Sequence, residues 1–134
     1  MTDPTDWPWP NFSPAEMACK GSGLIRLHPG FMDALQELRR CFDKPMTITS
    51  ACRSAAHNRK VGGHPRSLHV CDAPQHPGQE GTLAVDIAVT GAAAAWELGL
   101  LALNMGWSVG VPKAGFIHLD RRDMVGLPRG LFGY

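Results

Sequence analysis

Long hydrophobic runs are missing from this chain: in 134 residues, nowhere do the roughly 18 consecutive apolar residues needed to cross a membrane as a helix occur together. Charge of one sign is missing too. Thirteen Lys and Arg against twelve Asp and Glu leave a formal net charge of +1, which removes the electrostatic case for a nucleic-acid partner. The opening Met-Thr-Asp-Pro-Thr-Asp-Trp-Pro-Trp-Pro has neither the basic start nor the apolar stretch of a secretion signal, so synthesis in the cytoplasm without membrane insertion is expected. Cys19, Cys41, Cys52 and Cys71 contain no CxxC pair, which argues against a structural zinc knuckle. Reduced, partly buried thiols are the expectation, with disulfides as the alternative. No internal repeat is present.

What the chain does have is enough apolar residues for one core. A hydrophobic share of 44% with 15 Gly and 11 Pro describes a soluble globular chain rich in turns. Residues 1–11 form a Pro- and Trp-rich lead too irregular for an element, in which Trp7 and Trp9 would cover apolar surface if they dock. Ser13-Pro14-Ala15-Glu16 spells a helix start, with Ser13 as N-cap, Pro14 at N1 and Glu16 closing a capping box. From Pro29 to Phe42, Phe31, Ala34, Leu35, Leu38, Cys41 and Phe42 recur at helical spacing. Met46–Ser50 alternates and is β-branched, which predicts a strand; Arg53–Lys60 predicts a short helix ended by Gly62-Gly63. Leu68–Val70 and Leu83–Val89 read as strand pieces and Gly91–Met105 as a second long helix. Trp107–Val109 and Phe116–Asp120 read as a closing strand pair around Pro-Lys-Ala-Gly. This order predicts a small single α+β domain, a mainly antiparallel sheet with flanking helices.

Three residues interrupt these apolar segments. Asp86 sits in Leu-Ala-Val-Asp-Ile-Ala-Val, His118 in Gly-Phe-Ile-His-Leu-Asp, and His69 in Ser-Leu-His-Val. A carboxylate buried in a strand must be paired or bound to a cation, and two histidines with one carboxylate suit a catalytic zinc ion that keeps a fourth position open. Each histidine alone is more often structural; together the three point to one metal site. Asp120 lies two residues past His118, on the same strand face with Cα atoms about 7 Å apart. From there it could move a proton, or simply pair with Arg121 or Arg122. Arg53 could hold a substrate carboxylate or a developing oxyanion, or be a surface residue at a helix start.

These segments, in order, resemble a known family. Ile48-Thr-Ser-Ala-Cys-Arg-Ser54, His57-Asn58, Val61-Gly-Gly63, Ser67-Leu-His69, Ala84-Val-Asp-Ile87 and Phe116-Ile-His-Leu-Asp120 look like the signatures of the M15 zinc peptidases. Those are the D-Ala-D-Ala carboxypeptidases and phage endolysin peptidases of the LAS group. Phe12–Lys20 is similar to the start of their small members, so the likeness spans residues 12–122. It implies a hedgehog/DD-peptidase-like fold, with residues 12–134 as the peptidase domain. It also implies Zn2+ held by His69, Asp86 and His118, with Arg53 contacting substrate and steadying the transition state, and Ser67 helping to hold the peptide's carboxylate.

Two departures accompany the resemblance. The family leaves six residues between its first His and its Asp; here positions 70–85 intervene, so Val70–Gly81 is an extra loop carrying His76 and Asp72 as competing ligands. The family's acid or base often lies two or three residues before the last His, where this chain has Phe116 and Gly115, so Asp120 is the expected replacement. The function implied is hydrolysis of peptidoglycan stem peptide or cross-link, as an endolysin-type endopeptidase or a D,D-carboxypeptidase. The enzyme would act as a monomer on the cell wall after release. The rivals are an inactive zinc-containing peptidoglycan-binding module and a zinc-free structural phage protein.

Overall fold

The computed structural model describes residues 7–73, 76–113 and 115–133. In chain order the elements are α1 (Pro14–Met17), α2 (Pro29–Phe42), β1 (Ile48–Ser50), α3 (Ala55–Lys60), β2 (Ala84–Ala88), α4 (Ala92–Asn104), β3 (Ser108–Lys113), β4 (Phe116–Asp120), a 3-10 turn (Arg122–Val125) and β5 (Leu131–Phe132). The strands form one sheet in the order β1-β2-β4-β3-β5, antiparallel except for the β3–β5 pair. The α+β class expected from the sequence is the class observed.

Alternation along β2 and β4 gives the sheet two chemically different faces. Val85, Ile87, Ile117 and Leu119 point into the core, so Ala84, Asp86, His118 and Asp120 share the other face. Val85 pairs with Leu119 and Asp86 with His118. A slip of one residue would exchange the two faces and bury four polar or small side chains among the leucines.

Helices α2 and α4 supply the rest of the core. Helix α2 buries Phe31, Met32, Leu35 and Leu38 completely, each stabilising the fold by about 1.5–3 kcal/mol relative to exposure. It stops where Asp43 turns left-handed, at φ 55°. Phe31 meets Trp107 edge to face at 5.6 Å, joining α2 to the start of β3. Gly99 lets α4 lie close on the sheet, since a Cβ there would sit 3.3 Å from Ile117 Cδ1. Among the described residues no helix is long and apolar enough to cross a membrane.

At the N-terminus the capping box forms as expected, with Ser13 Oγ accepting from Glu16 N–H and Glu16 Oε1 accepting from Ser13 N–H. The described part of the lead docks: Trp7 and Trp9 pack against the core, and Trp9 Nε1 donates to Asp33 Oδ1. Residues 1–6 lie outside the described residues.

Three expectations need correction. Leu68–Val70 is not a strand but turn structure with a single parallel bridge between Arg53 and Val70. The Val70 N–H turns back onto the Ser67 carbonyl, which breaks a ladder there, while the Leu68 and His69 carbonyls accept singly from Leu83 and Arg53. Helix α3 begins at Ala55, because Ser54 caps it by accepting from His57 N–H. Strand β3 extends through Lys113, past the Val109 expected from its apolar residues, and Ala114 of the expected turn lies outside the described residues. All four cysteines are free thiols, and three are buried.

Candidate metal centre

Register alone brings Asp86 and His118 together. They sit opposite each other on β2 and β4, so their side chains leave the same face about 5 Å apart at Cβ. His69 comes from the turn after Ser67, and its position is fixed through the backbone. Its N–H donates to Ser67 Oγ, its carbonyl accepts from Arg53 N–H at 2.9 Å, and Cys71 N–H returns to the Arg53 carbonyl at 2.9 Å. One donor atom from each of His69, Asp86 and His118 lies within 4.8 Å of the other two.

The hydrogen bonds decide which ring nitrogens face inward. His69 Nδ1–H donates to the Ala51 carbonyl at 2.8 Å, leaving the Nε2 lone pair 3.2 Å from Asp86 Oδ1. His118 Nε2–H donates to Asp120 Oδ2 at 2.8 Å, leaving Nδ1 3.1 Å from the same Asp86 oxygen. Three acceptor atoms thus converge on one point, an arrangement that asks for a cation or a proton between them. A carboxylate or carbonyl behind each ring is also how metal-binding histidines are oriented. The residues fit a divalent metal of mixed N/O preference.

Electrostatics follow burial and pairing. Burial pushes the His69 pKa down and outweighs the pull of Asp86, keeping the ring neutral, as a ligand must be. At His118 burial also opposes the charge, but the Asp120 and Asp86 carboxylates win and raise its pKa. Asp86 is only 5% exposed; burial opposes its ionisation, yet a proton held between it and the His118 and His69 rings keeps it well below the usual carboxylate range.

The residues expected to serve substrate lie around the same point. Arg53 reaches Asp86 Oδ2 through Nη2 at 3.2 Å, Asn58 Oδ1 through Nη1 at 3.2 Å, and Ser50 Oγ through Nε at 3.1 Å. Asn58, marked in the sequence only by its place in a motif, is 1% exposed and donates to the His64 carbonyl. Gly63 makes room for it, since a Cβ there would overlap Asn58 Oδ1. Arg53 and Ser67 both line a cavity of about 530 Å³ that also contains His69, Asp86 and His118.

Asp120 shares the face of His118, as strand spacing requires, and lines the same cavity, but its carboxylate is covered. It is fully buried, and Arg122 grips both oxygens, Nε on Oδ1 at 2.9 Å and Nη2 on Oδ2 at 2.8 Å, while Arg122 N–H adds a third bond. Burial works against its charge, but the Arg122 and His118 hydrogen bonds lower its pKa. The pairing with Arg122 that the sequence offers as the alternative for Asp120 is thus present, and the adjacent Arg121-Arg122 is its signal. Phe132 of β5 completes this corner, edge to face with His118 at 5.6 Å and beneath Arg122 at 4.5 Å. Nothing in its Gly-Leu-Phe-Gly setting marked it.

The competing ligands do not join the centre. Asp72 Oδ1 accepts from Ala55 N–H at the start of α3, and His76 contacts Arg66. His57 packs on Gly21, and His64 lines the cavity without reaching the metal ligands.

No curated protein matches the chain. The family model described as Peptidase M15 matches residues 10–120, a span that holds Arg53, Ser67, the three converging ligands and Asp120, and the chain belongs to that family.

Proposed function

We propose that the chain is a zinc peptidase of the bacterial cell wall, hydrolysing an amide bond of the peptidoglycan stem peptide or cross-link. It would act as an endolysin-type endopeptidase or a D,D-carboxypeptidase, with residues 12–134 as the working domain. The observation that carries this reading is the convergence of His69 Nε2, His118 Nδ1 and a carboxylate oxygen of Asp86 on one point at the wall of a cavity. These three residues would hold the ion. Bound there, zinc supplies Lewis-acid activation of water and of the scissile carbonyl.

The chain's own groups do the rest. Arg53 presents a guanidinium held rigid by Ser50, Asn58 and Asp86, placed to take a substrate carboxylate or the negative charge that develops on the carbonyl oxygen. Ser67, which lines the cavity, offers its hydroxyl hydrogen to the peptide while its oxygen accepts from His69 N–H. Asp120 is assigned as a positioning residue: it keeps the proton of His118 on Nε2, so that Nδ1 presents its lone pair. The role of proton carrier does not suit a carboxylate whose two oxygens are already taken by Arg122.

That occupied carboxylate also favours one rival, a zinc-containing module that grips stem peptides without cutting them. Mass spectrometry of defined muropeptides incubated with the zinc-loaded protein separates the two. Released fragments are expected; intact muropeptides with zinc bound would establish the binding module. In the same assay Asp120→Asn is expected to need about 10- to 100-fold more zinc while keeping its turnover once saturated. Lost turnover with zinc fully bound would make Asp120 the proton carrier after all.

A further inference from the structure

Three arginines line the cavity beside the metal ligands, and two of them are neutralised. Arg53 pairs with Asp86 and Arg122 with Asp120. The third, Arg66, is exposed, and among the described residues no carboxylate lies within ion-pair distance of it.

Arg66 is nevertheless held in place. His76 Nε2–H donates to the Arg66 carbonyl at 2.9 Å, which leaves the His76 Nδ1 lone pair to accept from the Arg66 guanidinium at 3.5 Å. Arg66 N–H in turn donates to His64 Nδ1 at 3.0 Å. His76 belongs to the segment that lengthens the His69–Asp86 interval, and that segment is anchored. Gln79 is 6% exposed, and its Nε2 lies within hydrogen-bond distance of the Leu68, Val70 and Gly81 carbonyls. The extra loop therefore sets a ring against Arg66 from a fixed base.

We propose that Arg66, positioned by His76, is a second anion subsite of this cavity and binds a free carboxylate of the peptide at a distance from the scissile bond. The inference rests on the peptidase reading above and narrows its substrate class to stems that keep that carboxylate unamidated. A guanidinium fork beside a cavity whose other arginines are already paired is the natural partner for a carboxylate, and a bidentate contact adds orientation as well as affinity. In a stem peptide whose third residue is Lys, a free carboxylate comes from two sources, the C-terminus and the α-carboxyl of a γ-linked D-Glu.

Three synthetic pentapeptides, L-Ala-γ-D-Glu-L-Lys-D-Ala-D-Ala and its two forms amidated at one or the other carboxyl, test the subsite. Calorimetric binding to zinc-loaded wild type, Arg66→Gln and His76→Ala is measured beside hydrolysis. One amidation is expected to weaken binding to wild type about 10-fold and to leave Arg66→Gln unaffected, with His76→Ala in between; which amidation does so names the source. Equal sensitivity in wild type and Arg66→Gln, equal affinity for all three peptides, or no binding by wild type would each overturn the subsite. Hydrolysis without discrimination would keep the peptidase and remove the subsite. Discrimination without hydrolysis would keep the subsite and remove the peptidase.

Discussion

Two clusters of side chains able to ligate a metal are built from the same two segments of this chain, and among the described residues only one of them brings its donor atoms together. Cys52 and Arg53 are neighbours, as are His69 and, two residues on, Cys71. Arg53 and His69 turn to Asp86 and His118, while Cys52 and Cys71 pack with Cys19 against Leu24 and Leu27. Both clusters are buried. In the first, donor atoms converge within 4.8 Å; among the described residues the thiols form no such group. Each thiol is spoken for elsewhere: Cys52 Sγ contacts the Arg26 carbonyl at 3.5 Å, and Cys19 Sγ accepts from Ser54 N–H at 3.3 Å. A hydrogen bond shared with Cys71 pushes the Cys52 thiol up and pulls the Cys71 thiol down. Residue type nominates ligands, but outward-facing lone pairs fixed from behind make the site.

The largest expected effect breaks the first cluster at its hub. Asp86 touches both histidines and Arg53, so Asp86→Ala should take zinc from one ion per chain to none by elemental analysis and abolish hydrolysis. Cys52→Ala should leave the zinc content unchanged. Zinc loss in the cysteine variant would mean that the thiols, not the histidines, hold the ion.

A smaller effect separates the clusters by what truncation leaves behind. Arg122→Ala strands the fully buried Asp120 carboxylate, with His118 its remaining side-chain partner, and should cost about 3 kcal/mol in denaturant unfolding of the metal-free protein. Cys52→Ala removes one sulfur from an apolar setting and should cost about 1 kcal/mol. Equal losses would mean that Asp120 can be hydrated in the variant and that the corner beneath Phe132 opens.

The same contrast explains what could be read from the sequence. Helix α2 was legible because its apolar residues repeat at helical spacing, and the capping box at Ser13 because it is local chemistry. Asp86 and His118 stand out in the sequence as polar residues inside otherwise apolar strand segments, where a buried carboxylate needs a partner. His69 meets Asp86 and His118 from a turn instead of the expected strand: the short apolar run around it resembles a strand, but the Ser67–Val70 backbone bond makes it a turn. The direction in which Asp120 faces could not be read. Spacing places it beside His118, but the grip of Arg122 on its carboxylate depends on the turn at Arg122–Val125, which has no apolar period to announce it. Asn58 acts through Arg53 and His64, and Phe132 through His118 and Arg122, contacts across turns that follow no helix or strand period.

Thiol chemistry gives the finest cut between the clusters. Burial should raise the Cys19 pKa, but hydrogen bonds to Ser22 and Ser54 outweigh it and bring the thiol down to about 7, so half of it would be thiolate near neutral pH. If thiolate character governed reactivity, an aromatic disulfide reagent would modify Cys19 first. Access argues the other way, because Cys19 is 3% exposed, Cys52 and Cys71 less, and Cys41 alone is at the surface beside Glu37. One thiol per folded chain should therefore react at once, the Cys41→Ser variant should lose that phase, and the remaining three should appear only on unfolding. Rapid labelling of Cys19 in the Cys41→Ser variant would show that the thiol cluster opens in the native state, and would make it the looser of the two clusters instead of an equally closed one.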